Sequence, residues 1–93
     1  MVPIEQKVVG RLTALARQGA PPSRILRHLS ELQPEGNARK LALIKYMRAA
    51  FGLTLEQASP IAGWAGEGGE LSDPQIDDLI APSILGTKEQ WSH

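Results

Sequence analysis

The chain contains no cysteine, which excludes both a disulfide framework and a thiolate metal site. Histidine is almost as scarce: His28 falls on the polar side of a helix and His93 is the last residue, so neither has a second ligand at metal spacing. No apolar run approaches the roughly 20 residues of a bilayer span. The opening Met-Val-Pro-Ile-Glu-Gln-Lys has no charged segment ahead of an apolar one, as a secretory signal would. The expectation is a soluble cytoplasmic protein. Alternating β-branched stretches and internal repeats are missing too. So are enzyme motifs: no serine stands in a nucleophile-elbow context. Gly66-Glu-Gly-Gly69 lacks the lysine and hydroxyl residue of a phosphate-binding loop. Asp73, Asp77 and Asp78 lack the flanking pattern of a calcium loop. The expectation is a non-enzymatic protein with no catalytic residue, metal, cofactor, small-molecule substrate or membrane partner.

Helical signals fill most of the chain. Ile4, Val8, Leu12 and Leu15 form a stripe after Pro3, a first-turn proline, and Gly19 stops the helix. Past Pro21-Pro22, a second helix starts near Ser23 with Ile25, Leu26, Leu29 and Leu32 inward. Pro34-Glu-Gly36 reads as a turn and Asn37 as the N-cap of a third helix ending at Phe51. On that helix the spacing puts Leu41, Ile44, Met47 and Phe51 on the buried face. Gly52 fits the left-handed stop, and Thr54-Leu-Glu-Gln57 is a capping box that restarts a short helix as far as Pro60. A loop with four glycines and Trp64 then leads to a second capping box, Ser72 to Gln75. The fifth helix is read with Ile76, Leu79 and Ile80 inward, Asp73, Asp77 and Asp78 outward, and an end or kink at Pro82. The sequence therefore predicts an all-α fold, one bundle of four to five short helices over residues 1–84, followed by a loosely held tail, 85–93. Its expected centre is Leu12, Leu15, Leu26, Leu29, Ile44, Met47, Phe51, Leu55 and Leu79.

Zero net charge hides a division. Residues 1–51 carry nine basic and three acidic side chains, a balance of +6, and residues 52–93 carry one basic and seven acidic, a balance of −6. The two halves either attract each other within the fold or display one-signed faces that steer a charged partner.

Gly52-Leu-Thr-Leu-Glu-Gln-Ala58 followed by Ile61-Ala-Gly63 resembles the opening of a helix-turn-helix DNA-binding motif. Pro60 interrupts it, however, and the would-be reading helix carries Asp73, Asp77 and Asp78 toward phosphates. Lys40, Ile44, Lys45, Arg48, Ala50, Gly52, Leu53, Leu55 and Ala58 also match, without a gap, the segment of the bacterial ribosomal stalk protein's C-terminal domain that recruits translation factors. That resemblance implies a contact role for Lys40, Lys45 and Arg48, although Glu56, Gln57 and Ser59 stand where the family continues its charges. With Arg39, these residues form a basic face suited to RNA or the ribosome, and Tyr46 is the one aromatic placed to stack on a base.

As a whole, the chain resembles in character the small, cysteine-free, helical immunity proteins that bacteria encode beside secreted toxins. Lys45-Tyr-Met-Arg48, Ser59-Pro-Ile-Ala-Gly-Trp64 and Gly69-Glu-Leu-Ser-Asp73 carry that likeness. It implies a protein partner, a cognate toxin, neutralised by occlusion. The expected contact surface is Trp64 as an anchor among Glu67, Glu70, Asp73, Asp77 and Asp78. The competing reading folds Trp64 back over the corner near Leu53 and Leu55. Trp91 is open to the same two readings.

Overall fold

Helix α1 (Gln6–Arg17) is organised by its apolar stripe. Val8 and Leu12 are buried, while Ile4 and Leu15 pack half-buried against the same core. In the computed structural model, which describes residues 4–32, 39–64, 66 and 68–92, six α-helices and one 3-10 turn form a single small bundle. The roles expected of Pro3, the 34–36 turn, Asn37, Glu67 and His93 lie outside the described residues. Among the described residues no helix is long and apolar enough to cross a membrane.

Helix α2 (Pro22–Leu32) starts on a proline, whose missing N–H costs nothing in a first turn. It buries Ile25, Leu26 and Leu29. Helix α3 (Arg39–Phe51) packs against both α1 and α2. Its buried arc is Ala42, Leu43, Tyr46, Met47, Ala50 and Phe51, which corrects the expected face: Ile44 is only half-buried and Leu41 is 59% exposed. The reason is enclosure from two sides. Helix α1 and the segment after the corner both lie against α3, so the inward direction follows Leu43, Tyr46, Met47 and Ala50. Tyr46 is therefore not available for stacking. Its hydroxyl accepts the Glu5 N–H at 3.0 Å and satisfies a donor just ahead of α1.

The corner forms as its sequence requires. Gly52 adopts a φ of 65°, Leu53 is buried, and Thr54 and Gln57 exchange both capping-box hydrogen bonds ahead of α4 (Leu55–Ala58). The 3-10 turn Ser59–Gly63 then absorbs Pro60. Ala58 and Ile61 face the bundle from this segment, which leaves Leu55 59% exposed rather than central.

Helix α5 (Asp73–Gly86) begins on the Ser72–Gln75 capping box and runs on through Pro82. Its buried stripe is Ile76, Ile80 and Ile84, whereas Leu79 is 50% exposed. Thr87 links it to a further short helix, α6 (Lys88–Trp91), where the sequence suggested a loose tail. There Trp91 is buried, stacks edge-on against Phe51 with centroids 5.3 Å apart, and donates its indole N–H to the Ile84 carbonyl at 3.0 Å.

Candidate interaction surfaces

Helix periodicity explains what becomes of the acidic half. Asp77 lies three and seven residues before Ile80 and Ile84, so it shares their side of α5, and Asp73 lies one turn earlier. Both carboxylates therefore turn toward α2. Asp77 accepts the backbone N–H of Ser23 at 2.7 Å and its hydroxyl at 3.1 Å, which places a negative charge at the N-terminus of α2. Asp73 accepts the Arg27 guanidinium at 2.6 Å through one oxygen and the Trp64 indole N–H at 2.8 Å through the other. The indole hydrogen bond first, and then that of Arg27, hold the Asp73 carboxyl below its ordinary pKa. Arg27 also lies 5.5 Å from the Trp64 ring centroid, within cation–π reach.

Trp64 is accordingly not an exposed anchor: it is 1% exposed. The glycine-rich loop closes around it. A Cβ on Gly66 would run into the indole ring, and one on Gly69 would run into the backbone of Gly63. The Gly69 N–H reaches the Trp64 carbonyl at 3.0 Å, and the Leu71 N–H reaches the Gly63 carbonyl at 2.8 Å. These two glycines permit close packing, and the loop is a seat for an indole rather than a hinge. Of the six residues expected to make an acidic contact surface, Trp64 is thus buried, and Asp73 and Asp77 are partnered within the chain, Asp73 with its side chain still 38% exposed. Glu70 and Asp78 are exposed, and Glu67 lies outside the described residues. Sequence reasoning missed Ser23 and Arg27 as their partners. The available signal was the spacing of Asp77 to Ile80 and Ile84.

The basic residues keep a different company. Helices α1 and α3 pack side by side, and neither contains an acidic residue. On α3, Leu41, Lys45 and Arg48 follow at spacings of four and three, so they lie on one stripe. Arg48 and Leu41 are exposed, and Arg39, Lys40 and Lys45 are half-buried. The Arg48 Nε donates to the Leu53 carbonyl at 3.2 Å, which fastens this ridge to the corner, and Leu55 is exposed just beyond.

A second feature lies elsewhere. An open groove of about 410 Å³ runs between the α1–α2 connection and the C-terminal half of α5. Ala20, Pro21 and Pro22 line one side, Ala81 and Leu85 the other, with Trp91, Asp77 and Asp78 completing it. Among the described residues no three His, Cys, Asp or Glu side chains come together as metal ligands. No family model, characterised protein or solved structure matches this chain.

Proposed function

We propose that the chain is a non-enzymatic protein-binding protein, of the occluding kind to which toxin-neutralising immunity proteins belong, and that it docks an acidic protein surface through the α3 ridge and its corner. The observation that carries the proposal is the pairing of exposed leucine with cationic charge on that stripe. Leu41 is 59% exposed and is followed by Lys45 and Arg48. An apolar tip backed by positive charge suits a protein patch that has its own apolar pocket and an acidic rim. The acidic half is the weaker candidate, because Trp64, Asp73 and Asp77 already have partners within the chain.

RNA is the second reading, favoured by the acid-free α1 and α3. Against it, Tyr46, Phe51, Trp64 and Trp91 are all buried, so none of them offers a stacking platform for unpaired bases.

The test is comparative capture from the source cell, with the wild type, Leu41→Ser/Lys45→Glu, and Glu70→Lys/Asp78→Lys as baits. The expected result is one protein held by the wild type and by the lysine variant and lost by the ridge variant. Loss with the lysine variant alone would return the site to the acidic half. Nuclease-sensitive retention that falls steeply with salt would replace the protein partner with RNA.

A further inference from the structure

The chain displays both halves of a complementary pair. One is the α3 ridge, Leu41 with Lys45 and Arg48 one and two turns on. The other is the groove between the α1–α2 connection and α5, apolar along Ala20, Pro22, Ala81 and Leu85, with exposed Asp78 in its lining. Among the described residues neither is covered: Leu41 is 59% and Leu85 65% exposed, and Asp78 has solvent access. Asp78 is also the groove carboxylate left over for a partner, since Asp77 is held by Ser23.

We propose that a second copy of this chain is the occupant of the groove, with its α3 ridge seated so that Leu41 meets the apolar walls and Lys45 approaches Asp78. Charge complementarity supports this choice. The helix that carries the ridge has Lys45 and Arg48 and no acid, and the groove's lining holds Asp77 and Asp78 and no basic residue, so ridge repels ridge and attracts groove. Ridge and groove are different patches, so each copy has one of each to offer and the contact pairs unlike surfaces. Because the ridge is also the surface assigned above to an outside partner, self-association would sequester it, and release would expose it. That regulatory consequence rests on the functional reading; the self-contact does not.

The test uses the purified full chain alone, by sedimentation velocity over a wide concentration series at low and at high salt. The expected result is an average mass that rises with concentration at low salt and falls back to the monomer value at high salt. Lys45→Glu and Asp78→Lys, each checked for an unchanged helical spectrum, should remain monomeric by themselves. An equimolar mixture of the two should associate again, because the intact ridge of Asp78→Lys meets the intact groove of Lys45→Glu and, at the reciprocal contact, the new glutamate faces the new lysine. A monomeric wild type at every concentration would overturn the proposal, as would self-association that Asp78→Lys leaves intact or mixed variants that stay monomeric. None of these outcomes bears on capture of an outside partner, so the two readings fail separately.

Discussion

Gly10 and Gly69 mark opposite extremes of what an added methyl group would meet. Around Gly10, exposed in the middle of α1, there is nothing within 4 Å of the position a Cβ would take. Gly10→Ala should therefore stabilise the fold by about 0.5–1 kcal/mol, the usual helix-interior difference between the two residues. At Gly69 the same methyl would enter the backbone of Gly63, which cannot swing aside as a side chain can. Gly69→Ala should cost at least the ~1–3 kcal/mol of an overpacked core. Urea midpoints read both, and a neutral Gly69→Ala would show that the loop does not press on Gly63. The indole inside that loop can be probed separately. Trp64→Ala empties a fully buried site and should cost about 3–5 kcal/mol. Trp64→Phe keeps much of the volume but takes away the N–H that Asp73 accepts. It should cost less than the alanine change, and it should bring the Asp73 carboxyl back toward its ordinary range, read by side-chain NMR titration.

Helix α5 is joined to α2 by two carboxylates one turn apart, and this seam has a pH signature. In the unfolded chain Asp73 titrates near its ordinary value of 3.8, and in the folded protein below it. A carboxyl whose folded pKa is lowered contributes stability in full above the unfolded value, and the contribution disappears as pH falls through the folded value. Stability should therefore decline below about pH 4, and Asp73→Asn should flatten that part of the curve while leaving its slope at neutral pH unchanged. A decline of the same size in the variant would place the acid sensitivity elsewhere. Both capping boxes and the Gly52 stop were legible in the sequence, because a cap involves residues three apart and needs no knowledge of neighbours. Which way a helix faces is not local in that sense. On α5 the sequence placed Leu79 inside and Asp77 outside by polarity alone, but Ser23 and the start of α2 supplied a polar partner and reversed them. On α3 Leu41, Leu43 and Ile44 fall within four consecutive positions, which left the phase ambiguous. Contact with two neighbours settled it in favour of Leu43 and Tyr46.

At the scale of the molecule, the division of charge was plain in the sequence, whereas the fate of the individual charges depended on chain pairing. The one ion pair recorded among the described residues, Arg27 to Asp73, joins the two halves across the α2–α5 seam. The fate of the two tryptophans was equally hidden, since an indole late in a chain looks the same in sequence whether it docks or dangles. In the structure Trp64 and Trp91 belong to one core cluster, together with Phe51, Met47 and Ile80. A domain with a single core and no covalent crosslink should lose all of it in one transition. In Trp64→Phe, where Trp91 is the only indole left, the fluorescence change on urea titration should coincide with the loss of helical circular dichroism. Were residues 85–93 the loose tail that composition suggested, Trp91 fluorescence would already be solvent-like before the helices melt. The comparison is made within one variant, so the stability lost with Trp64 shifts both curves together and leaves their coincidence as the readout.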